Sequence, residues 1–159
     1  MSRNINRAPS SAQNCFGRIA TRLSERGKMR DGGSQPLLTI MSQPSWLFKG
    51  GKYSKTVHVL HNATEKALKA AILAERKRPP YGAGGHNLVR LYEMVASKIK
   101  LSTKLVRTID DLSPLYLPSE YPDAALGVPG TLFKKEQAQR YLREVGELVQ
   151  WLRKKMPRE

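Results

Sequence analysis

The chain has 159 residues, room for one ordinary domain rather than two. It carries 28 Lys and Arg against 13 Asp and Glu, a formal charge of +15, and no apolar run approaches the ~20 residues of a membrane-spanning helix. The single cysteine, Cys15, excludes a disulfide framework and a Cys-based zinc cluster, so a small, soluble, basic, cytoplasmic protein without membrane association is expected.

Charge is concentrated at the start. Residues 1–56 hold ten Lys or Arg and only two acids. The leading stretch, SRNINRAPSSAQNCFGRIATRLSERGKMRDGGSQP, is rich in Arg and Ser and broken by Gly32, Gly33 and Pro36. Such composition buries too little apolar surface to order itself. Phe16, Ile19, Ala20 and Leu23 share one helical face, so a short amphipathic helix is compatible with it. A mitochondrial transit peptide has similar composition, and an over-extended start with Met29 or Met41 as the true first residue would look the same. Residues 1–40 are therefore expected to be a basic, flexible or mis-assigned extension, and residues 41–157 a helical domain.

Leu37 to Phe48 contains Leu37, Leu38, Ile40, Met41, Trp46, Leu47 and Phe48, enough for a first helix that Pro44 must kink or start. From about Lys52 to Lys77, Val57, Leu60, Ala63, Ala67, Ala71 and Ala74 recur at three- and four-residue steps, predicting a second helix ended by Pro79-Pro80. Its alanines allow close approach of a neighbouring helix. Gly82 to Gly85 then reads as a flexible connection. A third helix is predicted from His86 or Asn87 to Ile99, with Leu88, Leu91, Val95 and Ile99 inward. A fourth follows Ser102, carries Leu105, Ile109 and Leu112 and stops near Pro114. The segment LSPLYLPSEYPDAALGVPG has four prolines and two glycines and reads as irregular. The last helix runs from about Thr131 to Lys155, with Ala138, Tyr141 or Leu142, Val145, Leu148, Val149 and Leu152 inward and Lys134, Lys135, Arg140, Arg143, Lys154 and Lys155 outward. No segment alternates as a strand would. The expected fold is an all-α, antiparallel, up-and-down bundle of four or five helices.

Three blocks make the pattern more specific. GKYSKTVHVLHNATEKALKA contains Ala63, Glu65, Lys66, Ala67, Leu68, Lys69 and Ala70; His86-Asn87-Leu88 opens the third helix; Tyr121-Pro122-Asp123-Ala124 precedes the last. In this order and spacing, over residues 45–156, the chain resembles the HEPN domain family. The resemblance implies an antiparallel helical bundle, usually a homodimer, associated with nucleotide or RNA transactions. Many members resemble the partner subunit of a minimal nucleotidyltransferase, often as a toxin–antitoxin pair. Other branches are metal-independent ribonucleases using Arg-x4–6-His, in which the histidine moves the 2′-hydroxyl proton and the arginine stabilises the charged phosphorane.

No Arg–His pair of this chain has that spacing. His86 follows Arg78 with seven residues between, and Arg30 is the nearest arginine before His58 and His61. Where many relatives place Arg before the Tyr-Pro-Asp block, Glu120 stands here, and a carboxylate cannot do the work of a guanidinium on phosphate. The missing motif therefore speaks against an enzyme and leaves no catalytic residue assigned. The alternative is a HEPN-type ribonuclease with an atypical site.

Individual residues keep two readings each. His58 and His61, three apart, have a spacing that suits a metal, but no third ligand is apparent; they read as one exposed and one interfacial histidine, and no metal site is assigned. Asn87 or His86 is the N-cap candidate of the third helix, and His86, where it does not cap, contacts a phosphate or nucleotide at the helix start. Glu65, Lys66 and Lys69 are either a solvated face with local pairing or a patch under the Tyr121–Asp123 loop. In the second case Lys66 and Lys69 would bind phosphate, Tyr121 would stack on a base and Asp123 would accept a base or ribose donor. The alternative for Pro122-Asp123 is a self-satisfied turn. Gly82-x-Gly-Gly lacks a preceding strand and a following Lys-Ser/Thr, so no dinucleotide or other cofactor is implied. Trp46 and Trp151 read as buried anchors of a core or dimer face. The excess of basic residues suits a polyanion or an acidic partner subunit.

Overall fold

Small residues set where the longest helices can meet. The structure, a computed structural model, describes residues 35–120 and 132–156. Helix α1 spans Gln35–Lys49, α2 Tyr53–Ala74, α3 Leu88–Glu93, α4 Thr103–Leu112, α5 Tyr116–Glu120 and α6 Lys135–Lys155. Single 3₁₀ turns lie at Gly82–His86 and Ser113–Leu115. The result is an all-α antiparallel bundle, with no strand among the described residues.

Helix α2 is the central element, packed against α6, α1, α5 and α3. Ala63, Ala67 and Ala71 are buried along it together with Val57, Leu60, Leu68 and Ile72. A helix buried on most sides needs short side chains where neighbours cross, and alanine supplies them without loss of helix propensity. The predicted inward sets of the third, fourth and last helices are all buried: Leu88, Leu91, Val95 and Ile99; Leu105, Ile109 and Leu112; Ala138, Tyr141, Leu142, Val145, Leu148, Val149 and Leu152. Each fully buried Leu, such as Leu60 or Leu148, contributes about 1.5–3 kcal/mol.

Four local expectations change. Pro44 does not start α1; it lies inside the helix, buried, where its missing N–H removes the bond to the Ile40 carbonyl. Just beyond it, Ser45 Oγ donates to the Met41 carbonyl at 2.9 Å. Helix α2 ends at Ala74, before Pro79-Pro80, through a backbone closure: Arg76 N–H donates to Leu73 O at 2.8 Å and Lys77 N–H to Ile72 O at 3.1 Å. This requires Arg76 at φ 57°, a left-handed position glycine usually fills. Helix α3 stops at Glu93, and residues 94–98 tighten into turns with three-residue bonds such as Val95 N–H to Tyr92 O at 2.9 Å. Lys77 Nζ meets the Met94 carbonyl at 2.6 Å there, holding that turn from outside the helix.

The fourth change concerns the proline-rich stretch. Tyr116–Glu120 is helical, although it reads as irregular. Pro114 occupies the first positions of its 3₁₀ turn, and Pro118 lies in the first turn of α5, where an amide has no helical acceptor to lose. Of the two tryptophans, Trp46 is 73% exposed on α1 and so is no anchor of this chain's own core, while Trp151 is half-buried beneath the Lys155 ammonium at 5.6 Å.

Capping follows the sequence more closely. Asn87 caps α3, its side chain accepting from Arg90 N–H at 3.0 Å, and Ser102 caps α4 by accepting from Leu105 N–H. Buried Glu144 on α6 accepts from Thr108 on α4 at 3.0 Å, and the exposed pairs Lys104–Glu147 and Asp111–Arg140 flank this crossing.

A candidate functional site built on a histidine cluster

Positions 58, 61, 65 and 69 recur at steps of three and four residues, so one stripe of α2 carries His58, His61, Glu65 and Lys69. Across that stripe lies α5, whose Tyr116 ring receives all three histidines of the chain. The His86 ring is parallel to it, 9° between planes and 4.4 Å between centroids. His61 is tilted at 5.1 Å, and His58 is stacked at 5.5 Å.

Hydrogen bonds fix the ends of this cluster. Asn62 Nδ2 and His58 Nε2 are 3.1 Å apart, and His58 Nδ1 and Ser119 Oγ 3.2 Å. An amide N–H can only donate, so His58 Nε2 is the acceptor and Nδ1 carries the proton. Ser119 Oγ donates in turn to the Tyr116 carbonyl, and Ser54 Oγ to the Ser119 carbonyl, which pins α5 to α2. At the other end Glu65 divides its carboxylate: Oε1 accepts from Lys69 Nζ at 2.7 Å and Oε2 from His86 Nδ1 at 2.9 Å. The Glu65 carboxyl is pushed up by burial, but the hydrogen bonds and charges of Lys69 and His86 outweigh that and hold it below the ordinary value. With the proton on Nδ1 facing a carboxylate, Nε2 of a neutral His86 is an acceptor.

Between these ends sits His61, fully buried. Neither of its ring nitrogens closes a hydrogen bond among the described residues, although the His86 backbone lies near enough to favour its proton. Burial dominates and lowers its pKa to about 4, with Glu65 opposing and His58 and His86 assisting.

The Gly82–His86 turn delivers His86 to the cluster. A Cβ on Gly85 would come within 2.9 Å of the Pro80 carbonyl oxygen and 3.3 Å of Lys69 Nζ, so only glycine lets the turn close this tightly.

Of the residues singled out in the sequence, Glu65, Lys69 and His86 are brought together. Lys66 is exposed, one residue further round α2. Tyr121, Pro122 and Asp123 lie outside the described residues. The capping role considered for His86 belongs to Asn87, and the His86 ring turns instead to Glu65 and Tyr116. Of the histidine pair, His61 is buried rather than interfacial and His58 half-buried rather than exposed. Nothing in Leu-Tyr-Leu between two prolines marks Tyr116, whereas the 3-4-4 spacing of His58, His61, Glu65 and Lys69 is readable. Among the described residues no group of three or more His, Cys, Asp or Glu side chains is placed to hold a metal ion, and no helix is long and apolar enough to cross a membrane.

Comparison with known proteins agrees with this arrangement of helices. A family model described as HEPN domain matches residues 44–155. The crystal structure of TT1696 from Thermus thermophilus superposes with a TM-score of 0.66 at 21% identity, covering 75% of this chain and 91% of that one. At that identity the likeness concerns the fold. No curated protein matches the sequence.

Proposed function

We propose, starting from the fact that the chain belongs to the HEPN domain family, that it is a noncatalytic homodimeric module that binds a nucleotide. In this reading it serves as the partner subunit of a minimal nucleotidyltransferase, in a toxin–antitoxin-like pair. The observation that supports nucleotide binding is the shared carboxylate of Glu65, which holds Lys69 Nζ and His86 Nδ1 within 2.7 and 2.9 Å of its two oxygens. An ammonium beside an oriented imidazole suits a ligand with phosphate at one end and hydrogen-bond donors at the other. Lys69 would meet the phosphate, with exposed Lys66 as a second cation, and His86 Nε2 would accept from a base or ribose donor. Tyr121 and Asp123 would supply a stacking ring and a second acceptor from the segment after α5.

Calorimetric titration of the full chain with the four ribonucleoside triphosphates tests this. Saturable binding to the wild type, weakened tenfold or more in Lys69→Ala and in His86→Ala, is the expected result. Equal affinity in both variants and the wild type would remove the site.

One observation favours a second reading, a ribonuclease with an atypical site. Glu65 orients His86 as a carboxylate orients a general base, leaving Nε2 able to take a 2′-hydroxyl proton. No arginine stands at the motif spacing to stabilise the phosphorane. RNA cleavage measured in EDTA separates the readings: the ribonuclease requires cleavage by the wild type that is lost in His86→Ala, and the noncatalytic module requires none.

A further inference from the structure

The connection between α2 and α3 carries a second concentration of charge that the Glu65 cluster does not use. From Glu75 to Arg90 there are four Lys or Arg against one Glu. Arg76, Lys77 and Arg78 follow one another and are all exposed. Tyr81, three residues on, is 85% exposed, the most exposed of the large apolar and aromatic side chains described. An aromatic ring held almost wholly in water gains little for the fold, and in the chain it follows a run of three cations.

The connection is also built firmly. The left-handed Arg76 closes α2, Lys77 Nζ ties the next residue to the Met94 carbonyl, Pro79 is buried, and Gly85 packs against the Pro80 carbonyl. A Cβ on Gly84 would lie 3.1 Å from Arg90 Nη1, so the Arg90 guanidinium rests against the same turn that follows Tyr81. The connection thus carries Arg78 three residues before the displayed ring, and Arg90 rests on the glycine turn that follows it.

We infer that this connection is a binding surface for single-stranded nucleic acid, with Tyr81 as a stacking platform and Arg78 and Arg90 on the backbone phosphates. A stacking ring flanked by guanidinium groups is how single strands are held without reading their sequence, because every base has a face and every linkage a charge. An acidic protein would use the cations but has no need of the ring, and a metal or free phosphate would have no use for the ring either. The inference stands apart from the nucleotide site at Lys69 and His86, since Tyr81, Arg78 and Arg90 take no part in the Glu65 hydrogen bonds.

The test is fluorescence anisotropy of a labelled 12-nucleotide oligouridine with the full chain, so that the basic N-terminal segment contributes equally to every variant. Tyr81→Ala should weaken binding about 5- to 100-fold, and Tyr81→Phe should retain it. Arg78→Ala with Arg90→Ala should weaken it further and lower the slope of log affinity against log salt by about 0.7 per lost phosphate contact. Calorimetric binding of nucleoside triphosphates should be unchanged in Tyr81→Ala, which separates failure here from failure of the nucleotide site. Oligouridine affinity unaltered by Tyr81→Ala would overturn the inference. So would displacement of the oligonucleotide by polyglutamate of equal charge at equal concentration, which would assign the surface to an acidic protein instead.

Discussion

Replacing His61 by leucine should change how the protein responds to acid. The ring is fully buried, its nitrogens close no hydrogen bond among the described residues, and its pKa is lowered to about 4 against an ordinary 6.5. The folded value lies below the unfolded one, so between these limits the unfolded chain binds the extra proton. Stability is then complete above pH 6.5 and is lost as pH falls toward 4. From the two values the loss due to His61 alone is about 0.8 kcal/mol at pH 6 and about 2 kcal/mol at pH 5. Glu65 also faces His61, and His58 and His86 stand around it; the lowered carboxyl of Glu65 begins to lose its own contribution only below its ordinary 4.5, and His58 and His86 are present in both proteins, so the difference between the two at pH 5 and above reads His61. Urea unfolding followed by circular dichroism at pH 7.5, 6 and 5 reads this directly in both proteins. At pH 7.5 the substitution should be close to neutral, because an apolar group of similar size replaces an unsatisfied polar one. On acidification the wild type should lose about 2 kcal/mol more than His61→Leu by pH 5. Parallel pH dependence in the two proteins would refute the reasoning, since it would mean that the buried ring costs nothing to protonate.

Three other substitutions probe the same region. Glu65→Gln keeps the shape but leaves Lys69 and His86 without their carboxylate, and should cost about 1–3 kcal/mol in urea unfolding at pH 7. Gly85→Ala forces a Cβ to within 2.9 Å of the Pro80 carbonyl, so the turn must shift; a loss of about 1–3 kcal/mol is expected, with a fall in nucleotide affinity as His86 is displaced. Arg76→Gly relieves a left-handed position at the end of α2 and should raise stability by up to about 1 kcal/mol, seen as a higher urea midpoint.

Helix faces were readable because burial repeats with the helical period. Leu88, Leu91, Val95 and Ile99 mark their face even though α3 ends at Glu93, since tightened turns keep nearly the same side inward. The ends were harder. The closure at Arg76 depends on a backbone state that arginine does not advertise, and so the prolines after it looked like the terminator. In the same way Pro114 and Pro118 suggested irregular backbone around Tyr116, although proline is tolerated where a helix begins. The candidate site divides along the same line. Glu65, Lys69 and His86 carry their chemistry in the sequence, and their proximity follows from a helical stripe facing a glycine turn. Tyr116 carries no such mark: its role comes from α5 crossing α2, a tertiary fact that no local spacing encodes.

The most direct test of the central claim is the histidine side-chain ¹H–¹⁵N spectrum of the full chain during titration with a nucleoside triphosphate. The chain has three histidines, so each imidazole can be assigned by single substitution. His86 is expected to shift saturably with nucleotide and Lys69→Ala to abolish the shift, while buried His61 stays neutral from pH 7.5 to 5.5. Three imidazoles unmoved at millimolar nucleotide would contradict it.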